Sequence, residues 1–143
     1  MVEQESNEDS VENSISVTRH KAIFVGDACT GKTSIINRII DNPFNDSYEV
    51  SIGIDFMSKN IRFRGQSIKI QIWDSAGQEK YKGLIPSYVR NSSIVFIVYD
   101  ISNRLSFDNI PNWIDFVKNI EKTKMVLVGN KTDLERVVET KEG

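Results

Sequence analysis

From Arg19 onward, apolar residues come in short runs divided by polar segments, and the runs differ in period. "KAIFVG" (21–26) is a short, nearly continuous apolar run, which predicts a buried strand. "KTSIINRIIDN" (32–42) places Ile35, Ile36, Ile39 and Ile40 at helical spacing. A polar loop, "NPFNDSYEV", follows. "SIGIDFMSKNIRFRGQSIKIQIWD" reads as two strands joined at Arg64-Gly65-Gln66, with alternation clearest at Ile68, Ile70 and Ile72. "GQEKYKGLIPSYVRN" reads as loop and then short helix. "SIVFIVYD" (93–100) and "MVLVGN" (125–130) are apolar almost throughout, as strands buried on both faces are. Between them "SFDNIPNWIDFVKNI" (106–120) predicts a helix with Ile110, Trp113, Ile114 and Val117 on one face and Pro111 in its first turn. Strands alternating with helices predict an α/β domain with a mostly parallel sheet and helices on both faces.

Composition adds boundaries. At 143 residues the chain is long enough for one core, and 39% apolar with 27% charged residues is an ordinary globular balance. The net charge of −2 is unevenly spread. Residues 1–18 hold Glu3, Glu5, Glu8, Asp9 and Glu12 with no Lys or Arg, and predict a disordered acidic leader ahead of a domain over 19–143. The leader lacks the basic start and apolar run of a signal peptide. The weak positive bias of the rest argues against a nucleic-acid partner. Cys29 is the only cysteine, so neither an internal disulfide nor a cysteine metal site is expected, and a reducing, cytoplasmic setting is.

The chemistry concentrates in three places. Gly26-Asp27-Ala28-Cys29-Thr30-Gly31-Lys32-Thr33 fits G-x-x-x-x-G-K-[ST] at every fixed position, between a strand and a helix. Its backbone N–H groups, with Ser34 at the helix start, are suited to cradle phosphates. Lys32 would neutralise the outer phosphates and the Thr33 hydroxyl would hold Mg²⁺. "NKTD" (130–133) supplies the base reader. The Asp133 carboxylate can accept from N1–H and the exocyclic amine of guanine, a donor pair adenine lacks. Asn130 can brace the loop and the Lys131 stem can lie on the ring. In "WDSAGQE" (73–79), Asp74 ends a strand where a carboxylate near Mg²⁺ belongs. There Gly77 could contact the γ-phosphate and Gln78 could orient the attacking water.

With these motifs in order the chain resembles a Ras-superfamily small GTPase over about residues 19–135. "SIGIDF", "KIQIWDSAGQEKY", "SYVR" and "IVYDISNRLSF" are similar to Rab signature stretches, and "IGIDF", "LIPSYVR" and "GNKTDL" look most like the Golgi-traffic branch. The resemblance implies a P-loop NTPase small G-domain and a GTP/GDP switch with Mg²⁺ that hydrolyses GTP slowly and regulates vesicle transport. It implies that Phe44 stacks on guanine and that Ser51 gives Mg²⁺ a second hydroxyl. The switches would be residues 44–56 and 76–90. Ile52, Phe56, Trp73 and Tyr88 would form the surface read by effectors, beside an exchange factor and an activating protein.

Three features depart from the family. Ser51 stands where relatives carry Thr, and Ala28 where they carry Gly, Ser or Gln. The sequence ends at Gly143, before counterparts of the family's last strand, last helices, "SAK" guanine loop and prenylated cysteines. Exposed apolar sheet surface is therefore expected, with no membrane anchor in these residues and peripheral Golgi association only through a prenylated end beyond Gly143. The alternative reading is a non-cycling chain that binds Rab partners through Phe56, Trp73 and Tyr88.

Overall fold

The structure is a computed structural model that describes residues 16–41, 50–52, 56–75 and 83–142. Strand β1 (Thr18–Val25) lies parallel between β4 (Gln66–Asp74) and β5 (Ile94–Asp100), and β6 (Lys124–Asn130) extends the parallel set beyond β5. β3 (Phe56–Phe63) runs antiparallel to β4, and β2 (Val50–Ile52) antiparallel to β3. The sheet order is β2-β3-β4-β1-β5-β6, so only β3 opposes the rest. The α/β expectation of a mostly parallel sheet holds.

Side-chain alternation sends the core to two faces. On one face Phe24, Ile72 and Val98 pack with Ile36 and Ile40 of α1 (Lys32–Asp41). On the other, Ile23, Val25, Val95, Ile97 and Tyr99 pack with α2 (Ile85–Val89) and with Ile110, Trp113 and Val117 of α4 (Ile110–Ile120). Each fully buried aliphatic or aromatic side chain stabilises by about 1.5–3 kcal/mol.

Four expectations need correction. β1 begins at Thr18, three positions before the apolar run, because Thr18 to Lys21 pair with Ile68 to Gln71 of β4. Gln66 belongs to β4, and the hairpin closes with two residues, Arg64 (φ 49°) and Gly65 (φ 76°), in the mirror-image turn that matches strand twist. The helix expected over 106–120 is two. α3 (Arg104–Asp108) starts early, capped by the Asn103 side chain accepting from Leu105 N–H at 3.1 Å. It stops at Asn109 because Pro111 cannot extend the hydrogen-bond ladder. Finally, β6 is less buried than its apolar run predicts, and carries exposed apolar sheet surface of the kind also expected above. Among the described residues no strand pairs beyond it, and Val126 and Leu127 stay 40% and 39% exposed.

Candidate functional site

Parallel strands deliver their carboxyl ends to one edge of the sheet, the usual place for a site. Here β1 ends into the 26–31 loop, β4 ends at Asp74, β5 at Asp100 and β6 at Asn130. All the described motif residues therefore meet there.

The loop needs its glycines. A Cβ on Gly26 (φ 142°) would stand 2.2 Å from the Val98 carbonyl oxygen, and one on Gly31 (φ 92°) 2.2 Å from Asn130 Nδ2. The first clash is with backbone and cannot be relieved, while the second would push the Asn130 side chain out of place and comes with a φ that strains any other residue. Cys29 completes the wrap at φ 62°, with Ala28 and Cys29 exposed. Thr30 is buried and its hydroxyl donates to the Asp27 carbonyl at 3.0 Å. Lys32 is 2% exposed. Its Nζ donates to the carbonyls of Gly26 (2.9 Å) and Asp27 (2.7 Å), so the ammonium lies in the concave side of the loop. At the helix start Thr33 Oγ1 donates to Asp74 Oδ2 at 2.6 Å, and Ser34 is exposed beside it. This places a hydroxyl and a carboxylate oxygen together at the start of α1.

The 130–133 segment is fastened to the same loop. Asn130 Nδ2 donates to the Thr30 carbonyl at 2.9 Å, and Lys131 Nζ to the Cys29 carbonyl at 2.7 Å. Lys131 takes φ 65°, and the turn closes by Leu134 N–H donating to Lys131 O at 2.9 Å. Asp133 is exposed on that turn.

Two carboxylates do more than their motifs indicate. The loop motif calls on Asp27 through its backbone N–H. Its side chain Oδ1 also accepts from Trp113 Nε1 at 2.8 Å and Asn109 Nδ2 at 2.6 Å, tying the loop to α4. A groove of about 390 Å³ opens beside this tie, lined by Asp27, Ala28, Ile85, Asn109, Trp113 and Phe116. Asp100, which lies in the "IVYDISNRLSF" stretch but was given no role there, meets Lys131 Nζ at 2.9 Å. Burial pushes its carboxyl up, but hydrogen bonds from Ser102 and Lys131 outweigh burial and hold it below the ordinary value. Both stand in quoted motifs, but nothing in the sequence indicated these side-chain bonds beyond an acid beside an apolar strand.

The aromatic residues also converge. Phe56 stacks on Trp73 with centroids 4.9 Å apart, and Trp73 meets Tyr88 at 5.0 Å. Tyr88 is buried, so Phe56 and Trp73 give this cluster its surface. Lys21 Nζ lies 4.4 Å from the Trp73 ring centre and donates to the Arg90 carbonyl at 3.0 Å. Burial lowers its pKa. Ser51 and Ile52 lie in β2, paired with Ser58 and Met57. Phe44, Gly77 and Gln78 lie outside the described residues, as does most of both expected switches.

Among the described residues no three His, Cys, Asp or Glu converge as a metal site, and no helix is long and apolar enough to cross a membrane. Residues 21–143 match the family model described as Ras family.

Proposed function

The chain belongs to the Ras family, and from that premise we propose that it is a Rab-type switch that binds GTP, hydrolyses it slowly to GDP and regulates vesicle transport. One observation carries the nucleotide reading: the 130–133 segment is hydrogen-bonded onto the carbonyls of Cys29 and Thr30, so a phosphate cradle and a base reader form one continuous surface. Bound there, guanine is read by Asp133, and its triphosphate lies along the loop with Lys32 against it. Adenine would leave the Asp133 acceptors without donors.

Thr33 and Asp74 present hard oxygen donors of the kind Mg²⁺ takes beside phosphate oxygens. With Ser51 they would hold the ion, which supplies neutralisation of phosphate charge when bound. The chain's own residues contribute position and charge, and Gln78 orients the water. The Phe56–Trp73–Tyr88 stack supports the Rab reading: Phe56 and Trp73 offer a preformed aromatic surface for effectors, with the buried Tyr88 holding Trp73 from beneath. Exchange factor, activating protein and Golgi-type membrane follow from that reading, as does a cytoplasmic protein that reaches membranes through a lipidated end.

The test is nucleotide content and turnover. Protein purified with Mg²⁺ should carry GDP or GTP and no adenine nucleotide, and should release phosphate slowly from GTP. Purification with bound ATP, or equal ATP and GTP affinity, overturns the reading. Phe56→Ala should abolish capture of effectors by the GTP-loaded form while leaving GTP affinity intact.

A further inference from the structure

Asp100 ends β5 with its side chain buried, and every polar atom it offers is used. Oδ1 accepts from the Ser102 N–H at 2.8 Å and from the Ser102 hydroxyl at 2.6 Å. Oδ2 meets Lys131 Nζ at 2.9 Å. The Ser106 hydroxyl accepts from the Asp100 N–H at 3.0 Å and donates to the Asp100 carbonyl at 3.1 Å, fixing the backbone as well. The next residue locks the neighbouring loop. Ile101 N–H donates to Asn130 O at 3.1 Å, and Ile101 O accepts from Val137 and Val138 N–H at 2.9 and 3.2 Å, with Val138 fully buried. Lys131 reaches from this locked turn to the Cys29 carbonyl. Its ammonium is therefore held between two acceptors from different segments, and only one of them carries charge.

The carbonyl of Cys29 alone is a weak anchor for a flexible four-carbon stem with a strongly hydrated head. A buried carboxylate opposite it adds an ion-paired hydrogen bond, in which both partners are charged, and fixes the direction of the head. We propose that Asp100 is a positioning residue that clamps Lys131 across the phosphate loop, so that the base reader and the phosphate cradle stay together and nucleotide release is slow. This inference rests on the guanine-nucleotide reading of the site.

The experiment is a double-mutant cycle with Asp100→Asn, Lys131→Met and the pair, read by release of a fluorescent GDP analogue. Asn keeps an acceptor for Ser102 but brings no charge to Lys131. Release from Asp100→Asn should be about tenfold faster, or about 1.4 kcal/mol at 25 °C. On the Lys131→Met background the same change should accelerate release less than about twofold, since the clamp is already gone. A second readout needs no nucleotide: the Lys131 ammonium resonance of ¹⁵N-lysine-labelled protein should exchange slowly with water in the parent and be lost in Asp100→Asn. Equal acceleration on both backgrounds, or an unchanged ammonium resonance, would mean that Asp100 acts only through the fold and would overturn the clamp. If Asp100→Asn fails to fold, Ser102→Ala removes the hydroxyl bond to Oδ1, leaving only the backbone N–H bond there, and should accelerate release by about threefold; no acceleration overturns the clamp too. A parent protein that holds no guanine nucleotide refutes the nucleotide reading instead, and the ammonium resonance then still decides for or against the clamp.

Discussion

Replacing Asp27 by alanine tests whether the loop is held to α4 by that side chain. The substitution leaves the Trp113 indole N–H and the Asn109 amide without their shared acceptor, at 2.8 and 2.6 Å. Hydrogen bonds to a charged group contribute about 1.5–3 kcal/mol each. Two independent bonds would sum to about 3–6 kcal/mol, but both donors share one oxygen and Asp27 is half-buried, so the sum falls at or below the bottom of that range. We expect a loss of about 2–3 kcal/mol. For a domain of this size the unfolding entropy is about 0.3 kcal/mol per kelvin, which lowers the melting temperature by about 7–10 °C. Asp27→Asn keeps an oxygen acceptor without the charge and should lose about 1 kcal/mol. The assay is urea unfolding followed by tryptophan fluorescence, which reports Trp113 directly, with an unchanged m value showing that the denatured state is the same. Stability of Asp27→Ala within about 0.5 kcal/mol of the parent would refute the tie. So would an asparagine variant as weak as the alanine one, because the acceptor would then not be the cause.

Gln78→Leu should slow GTP hydrolysis severely, above all the partner-stimulated rate, with GTP affinity nearly unchanged; phosphate release and equilibrium binding separate the two. Asp133→Asn should weaken GTP and favour xanthosine triphosphate, read by competition, and retained tight GTP binding would remove Asp133 from base reading. Asp100, held below its ordinary 3.8, binds fewer protons folded than unfolded, so its stabilisation is complete above that value and is lost as pH falls through the folded pKa. Acid unfolding of Asp100→Asn should accordingly be flatter below pH 3.8 than that of the parent. Leu127→Lys on the β6 edge should reduce light scattering on concentration while leaving the melting temperature within about 2 °C, since the side chain is already exposed.

The phosphate loop was legible because its chemistry is local. Residues 26–33 are contiguous, and a strand, a tight turn and a helix start need glycine, lysine and threonine at fixed offsets whatever surrounds them. The sheet strands and α1 were legible for a similar reason, since their apolar period reports how each segment meets a core. The split of α3 from α4 was half legible: Pro111 marked a helix start, but nothing local placed a second helix just before it.

What the sequence by itself determined, then, is the set of segments and the chemistry carried within each one. Only the tertiary structure decided which distant segments meet. Asp27 finds Trp113 across 86 positions, and Lys131 finds Cys29 across 102. Asp100 becomes part of the site because β5 lies between β1 and β6. β1 begins at polar Thr18 because β4 offers it a ladder, and β6 keeps Val126 and Leu127 in water because no strand among the described residues pairs with its outer edge. Period and composition record how a segment is solvated on average. Hydrogen-bond partners, and the burial of a polar group they allow, depend on neighbours that only folding supplies.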